Sequence, residues 1–284
     1  MIEVKDLTYS YPGAGSPAIE NLNFRINKSE IFGFLGPSGA GKSTTQKIIT
    51  GILKEYQGSV QVNDQEIAGI KNDFFENIGV SFELPNLYNR FTARENLDFF
   101  AGLFEKDCEP ALELLELVGL AEVADEPVKN FSKGMKMRLN LCRAFLNRPN
   151  ILFLDEPTSG LDPMNRKNVR RLIMEKKDQG QTVFITTHDM LAADELCDRI
   201  AFIVDGQIEI IDSPRELKLR HGKKLVEVGY QNNGELVEGQ YNLKGLWGNQ
   251  EFVELLKSDR IETIHSQEAS LEDVFIAVTG RELR

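Results

Sequence analysis

The feature that most constrains this chain is a nearly continuous apolar run, Ile31 to Leu35, that breaks into Gly36-Pro37-Ser38-Gly39-Ala40-Gly41-Lys42-Ser43. Such a run reads as a strand buried on both faces. The eight residues after it fit the spacing G-x-x-x-x-G-K-[ST] of a phosphate-binding loop. Glycines there reach conformations closed to other residues and bring backbone N–H groups against phosphate oxygens. Lys42 then reaches the β- and γ-phosphates, and the Ser43 hydroxyl ligates Mg²⁺. The helix read from Ser43 to Gly51 adds its positive N-terminal end. Gly36 through Thr44 are therefore the candidate ATP-binding residues. A plain glycine turn between strand and helix is the alternative. The position of the match, at the strand-to-helix junction that the chemistry needs, weighs against it.

A second buried run, Ile151 to Leu154, ends in Asp155-Glu156. Alternation along a strand sends the two acids in different directions. Asp155 is then placed to hold Mg²⁺ through its water shell and Glu156 to polarise an attacking water, in a reaction where positioning and charge neutralisation supply most of the catalysis. Alone, an Asp-Glu pair at a strand end is more often solvated and idle. The phosphate loop upstream in the same sheet changes that balance.

Strand-like runs at Ser59–Val62, Ile78–Phe82 and Val183–Thr186 alternate with a helix at Asn165–Lys177, which predicts an α/β core with a mainly parallel sheet. Residues Ile2 to Ile26 read as short strands of a small antiparallel β-subdomain around the turn Pro12-Gly13-Ala14-Gly15. Three helices form an insertion over about 91–146, opening on the capping-box pair Thr92 and Glu95 for a helix through Phe104. From Arg215 onward the texture becomes α+β, with strands at Leu225–Tyr230, Val237–Leu243 and Ile261–His265 and a last helix capped by Ser270 and Asp273. The expected domains are 1–215 and a C-terminal extension, 216–284.

The 44 acidic and 33 basic residues leave a net charge of −11, which argues against a surface built to grip nucleic acid but not against a local basic patch. Three cysteines at irregular spacing build no disulfide framework. No basic-then-apolar leader opens the chain. The longest apolar runs fall far short of the roughly 20 residues that span a bilayer. The expectation is a cytosolic, soluble chain.

Phe131-Ser132-Lys133-Gly134-Met135 precedes a helix leading into the Asp155 strand, with Ser132 placed as N-cap and Gly134 allowing close approach. With these motifs in this order, residues 1 to about 215 resemble an ATP-binding cassette ATPase. The resemblance implies a nucleotide sandwiched between two cassettes paired head to tail. Ser132, Lys133 and Gly134 would then approach the ATP held by the partner cassette. Three of five positions depart from the family's Leu-Ser-Gly-Gly-Gln: Phe131, Lys133 and Met135. Lys133 either helps neutralise the triphosphate or points to solvent. Ser159-Gly160-Leu161-Asp162 resembles the loop that couples the two sites, with Asp162 in that role. His188, in Thr187-His188-Asp189, matches the switch histidine that bonds the γ-phosphate and orients Glu156 and the water. Tyr11 fits the adenine-stacking aromatic, with Tyr9 as its rival. Glu83 stands where the family has Gln. It is expected to keep a metal contact while changing how ATP occupancy is signalled; the other reading is a loop acid with no ligand.

The resemblance implies an ATP-hydrolysing subunit that energises a separate integral membrane permease subunit from the inner face of the cell membrane, paired with a second cassette, identical or different. In the helical insertion, most of Phe91, Phe99, Phe100, Leu103 and Phe104 are expected in the core, with a few exposed for docking that partner. The tail around Leu271-Glu272-Asp273-Val274-Phe275 resembles that of bacterial drug, antibiotic or polysaccharide exporters, which favours export. A soluble cassette acting on ribosomes or DNA is the alternative, disfavoured by the single cassette, the absence of long coiled coils and the acidic balance. A regulator that binds ATP without turnover is disfavoured by the intact Lys42, Asp155, Glu156 and His188.

Overall fold

The computed structural model describes residues 1–221, 224–232, 234–267 and 269–282. They form two compact units, Met1–Ser213 and Pro214–Glu282. The first is built on a six-stranded sheet in the order Gln207–Asp212, Arg199–Val204, Ile31–Leu35, Thr182–Thr187, Ile151–Asp155 and Ile78–Ser81. Five strands are parallel, and only the Gln207–Asp212 edge runs antiparallel. The Ile31–Leu35, Ile151–Asp155 and Thr182–Thr187 strands are buried at every residue, which is why they read as unbroken apolar runs.

Against this sheet lies an antiparallel one, ordered Ile19–Ile26, Ile2–Tyr9, Gln57–Val62 and Gln65–Glu66. A shared core that includes Ile2, Ile19, Phe24, Phe32, Phe34, Phe153 and Phe184 joins the two sheets. Its rings stack; Phe24 and Phe32, for example, lie 5.7 Å apart between centroids.

The helical insertion comprises helices Ala93–Ala101, Ala111–Leu117 and Lys133–Phe145. The capping box forms as expected: the Thr92 hydroxyl accepts from the Glu95 N–H, and the Glu95 carboxylate accepts from the Thr92 N–H. The first helix stops at Ala101, short of Phe104, with Gly102 at its C-cap. The aromatic residues depart from expectation. The helix buries Ala93, Asn96 and Leu97, and its phenylalanines lie elsewhere. Phe91, Phe99 and Leu103 are 37%, 40% and 65% exposed, and Phe100 and Phe104 are only half-buried. Tyr88 joins Phe91, Phe99 and Phe100 in one aromatic cluster with centroids 4.9–6.1 Å apart.

The second unit carries a three-stranded antiparallel sheet, Glu235–Asn242, Leu225–Asn232 and Ile261–Gln267, with the Gln250–Leu256 helix packed through Phe252 and Leu255 onto Val226, Val228 and Tyr241. Helices Pro214–His221 and Leu271–Thr279 pack together, the latter opened by the predicted Ser270–Asp273 capping box. All three cysteines are free. Among the described residues no helix is long and apolar enough to cross a membrane.

Candidate functional site

The phosphate loop leaves the sheet at the end of Ile31–Leu35, between the parallel strands Thr182–Thr187 and Arg199–Val204. Where it leaves the strand the turn has no room for a side chain: a Cβ on Gly36 would lie 2.1 Å from the Ile203 carbonyl oxygen. Gly41, at φ +102°, sits in the left-handed region and opens the Lys42–Ile49 helix without any side-chain cap, so the first-turn N–H groups are left for a ligand. Lys42 is buried, and its Nζ donates to the carbonyls of Gly36 at 2.6 Å and Pro37 at 2.9 Å. Burial pushes its ammonium below the usual lysine range, while Glu156, Asp155 and Glu83 act in the opposite sense.

Ser43 follows on the same helix, and its Oγ donates to Asp155 Oδ2 at 3.0 Å. The Asp155 carboxylate is buried and also accepts from the Thr186 hydroxyl. Glu156 is buried too. Its Oε2 accepts from Thr187 Oγ1 at 3.0 Å, and its Oε1 accepts from the His188 N–H at 3.0 Å and from His188 Nδ1 at 2.7 Å. The Glu156 backbone has φ +49°, a region that a glutamate rarely occupies, and its N–H is pinned to the Thr186 carbonyl at 2.9 Å.

These groups converge. Ser38, Gly39, Gly41, Lys42, Ser43, Thr44, Glu83, Asp155, Glu156 and His188 line one cavity of about 180 Å³. Tyr11 lies beside it, its hydroxyl 3.1 Å from Thr44 Oγ1. The two candidate tyrosines differ in access: Tyr9 is 7% exposed and packs edge-on against Tyr11, which is 40% exposed.

Ser132, Lys133, Gly134 and Asp162 do not line this cavity. Ser132 caps the Lys133–Phe145 helix, accepting from the Met135 N–H at 3.2 Å, and is itself exposed. The stem of Lys133 lies across Gly160, and Asp162 caps the Pro163–Asp178 helix with both carboxylate oxygens engaged by Asn165. Those bonds hold the Asp162 carboxyl below the usual range.

Sequence reasoning missed Asn140. It is fully buried, and its amide donates to Ser81 Oγ and the Phe82 carbonyl at 2.9 and 2.8 Å while its oxygen accepts from Arg143. Arg143 also donates to the Asn86 carbonyl at 2.8 Å and covers the Phe100 ring at 4.9 Å. The segment carrying Glu83 is thus fastened to the helix that Ser132 caps. An asparagine inside an otherwise amphipathic helix was the only hint.

A cradle of backbone N–H groups, a buried lysine, a serine–aspartate pair and a glutamate–histidine pair define a P-loop nucleotide hydrolase. The family described as "ABC transporter" matches residues 19–159, and one described as "Fluoroquinolone efflux ABC transporter C-terminal domain" matches residues 224–268. A fluoroquinolones export ATP-binding protein of Mycobacterium tuberculosis is 49% identical over 284 residues, covering 100% of this chain and 94% of that one. The bacitracin transport ATP-binding protein BcrA of Bacillus licheniformis is 33% identical over 303 residues, covering 99% and 97%. Among solved structures, the dimeric post-hydrolysis state of an ATP-binding cassette bound to ADP and Pi aligns with a TM-score of 0.69 at 28% identity, over 75% of this chain and 98% of that one. The chain belongs to the ABC transporter ATP-binding family. It is an ATPase, the ATP-binding subunit of an export transporter. These likenesses lend no support to the ribosome- or DNA-directed alternative.

Proposed function

We propose that this subunit hydrolyses Mg·ATP in a sandwich of two cassettes and drives a membrane permease that expels amphipathic aromatic drugs of the fluoroquinolone class. Its ATPase domain is residues 1–215, and 216–284 is an extension. The ATPase site is supported by the meeting of Lys42, Ser43, Asp155, Glu156 and His188 in one cavity. The cargo reading is supported by the full-length likeness to the mycobacterial export protein, which extends through the C-terminal unit.

The residues present fit Mg²⁺. Ser43 Oγ and Asp155 Oδ2 lie 3.0 Å apart, are hard oxygen donors, and are joined by no cluster of further metal-ligating side chains among the described residues. That suits an ion that keeps several waters and takes its other ligands from the substrate's phosphates. Bound there, Mg²⁺ supplies charge neutralisation on the phosphates. The phosphate loop and Lys42 hold the β- and γ-phosphates, and Tyr11 stacks on the adenine. Glu156 polarises the attacking water, with His188 fixing its carboxylate. Ser132 and Lys133, exposed at a helix N-terminus away from their own cavity, reach the partner's γ-phosphate together with the half-buried Gly134. Loss of that phosphate parts the pair. The exposed Tyr88, Phe91 and Phe99, packed on the half-buried Phe100, dock the permease at the inner face of the membrane.

The test is to co-express the full chain with the membrane protein that co-purifies with it and follow accumulation of a fluorescent fluoroquinolone in cells. Accumulation falls with the native chain and is restored with Lys42→Ala. Equal accumulation with both chains overturns the cargo assignment.

A further inference from the structure

Asp155 and Glu156 are neighbours of the same charge that must do different work, one beside the metal and one beside the water. Something has to stop them from exchanging roles or sharing a ligand. The adjacent parallel strand ends in two threonines, Thr186 and Thr187, with Thr186 in register with Asp155. Each threonine reads one acid: the Thr186 hydroxyl donates to Asp155 Oδ1 and the Thr187 hydroxyl donates to Glu156 Oε2. Both threonines are buried. Strand alternation separates the two hydroxyls as it separates the two carboxylates.

A count of hydrogens sharpens the assignment. A threonine hydroxyl carries one hydrogen and two lone pairs. Thr187 gives its hydrogen to Glu156 and accepts the Asp189 N–H at 3.0 Å, so its orientation is fixed. Thr186 has two acceptors in reach, Asp155 Oδ1 and Gln46 Oε1, the latter at 3.3 Å. Gln46 is fully buried, and its Nε2 has no partner among the described residues. Turned end for end, the Gln46 amide donates to Thr186 Oγ1, and the Thr186 hydrogen is committed to Asp155. The relay then runs from Gln46 through Thr186 to Asp155. The oxygens that the threonines leave to other partners are Asp155 Oδ2, which faces Ser43, and Glu156 Oε1, which takes both His188 bonds.

We propose that Thr186 and Thr187 are positioning residues that sort the two acids, Thr186 with Gln46 behind it fixing Asp155 for the metal and Thr187 fixing Glu156 for the water. The proposal rests on the assignment of metal to Asp155 and water to Glu156. Partners behind a metal ligand set its orientation, and their loss costs about 10- to 100-fold in affinity or activity.

The experiment uses the full chain with Mn²⁺ as probe, its binding followed by electron paramagnetic resonance in the presence of a non-hydrolysable ATP analogue, alongside kcat at saturating Mg²⁺. Thr186→Val, which keeps shape and removes the hydroxyl, weakens Mn²⁺ binding about 10-fold or more. Thr186→Ser restores it. Thr187→Val leaves Mn²⁺ binding unchanged and lowers kcat about 10-fold or more, and Thr187→Ser restores the rate. Gln46→Met, which removes the amide behind Thr186, weakens Mn²⁺ binding in the same direction and covers the case in which Thr186→Val fails to fold. Native Mn²⁺ affinity in Thr186→Val, or in Gln46→Met should Thr186→Val not fold, native kcat in Thr187→Val, or equal weakening of Mn²⁺ binding in Thr187→Val, overturns the sorting role. An Asp155→Asn control that binds Mn²⁺ like the native chain overturns instead the metal assignment beneath it.

Discussion

Replacing Glu156 by glutamine separates chemistry from folding. The carboxylate has three partners: Thr187 on one oxygen, and the N–H and ring of His188 on the other. Glutamine keeps one oxygen and turns the other into a donor. Facing His188, the new NH₂ would meet an N–H that also donates. Facing Thr187, it meets a hydroxyl oxygen, at the cost of turning the threonine's hydrogen away. The side chain therefore seats with its oxygen toward His188, losing the charge and reversing the polarity of one bond. Such an exchange costs about 1 kcal/mol of folding stability, or about 2–4 °C in Tm for a chain of this size. Removing a general base costs about 10²- to 10⁴-fold in rate, equivalent to about 3–5 kcal/mol of barrier. Phosphate release, calorimetry and gel filtration with Mg·ATP read the three consequences: kcat falls at least about 100-fold, Tm stays within a few degrees, and an ATP-bound dimer accumulates. A rate loss under about tenfold, or a chain that stays monomeric under these conditions, refutes the reasoning.

Asn140→Leu removes an amide that serves Ser81, Phe82 and Arg143 in a fully buried place; the orphaned groups cost about 1–3 kcal/mol each, so chemical denaturation shows a loss of about 3 kcal/mol or more, and a loss under about 1 kcal/mol counts against the clamp. Glu83→Gln removes one of three carboxylates facing Lys42; the KM for ATP falls about threefold, the effect of one charge several ångströms away through water-like dielectric, and stimulation by the permease changes. Unaltered ATPase rate and coupling would show Glu83 to be an ordinary loop acid.

What the chain discloses before folding is what lies close along it. The phosphate loop, the Asp155-Glu156 pair and both capping boxes are fixed by spacings of one to eight residues, and backbone geometry converts such spacings directly into placement. Pairings across the sheet are not written that way. Thr186 and Thr187 pass for ordinary strand formers until the register sets them against Asp155 and Glu156, and Gln46 passes for a surface residue of an amphipathic helix although it is fully buried. Periodicity also shows that a helix has two faces without saying which one meets the core. For Ala93–Ala101 the buried face carries Ala93, Asn96 and Leu97 and the aromatic one stays open, because Asn96 is held inside by bonds to the backbone of Tyr88 and Thr92. Tyr9 and Tyr11, two residues apart, are told apart only by the edge-on packing that buries one and leaves the other accessible.

The Lys133–Phe145 helix is 13 residues long, which makes it a rod of about 20 Å. Ser132 stands at one tip. Nearer the other, Asn140 grips the strand end that leads to Glu83, and Arg143 grips the Asn86 carbonyl beyond it while its guanidinium lies on Phe100. A stiff rod cannot shift at one tip alone. A displacement of Ser132 along the helix axis would therefore carry Asn140 and Arg143 with it, and through them Phe82, Asn86 and Phe100. Damage along this rod should therefore leave ATP hydrolysis running while cargo movement fails.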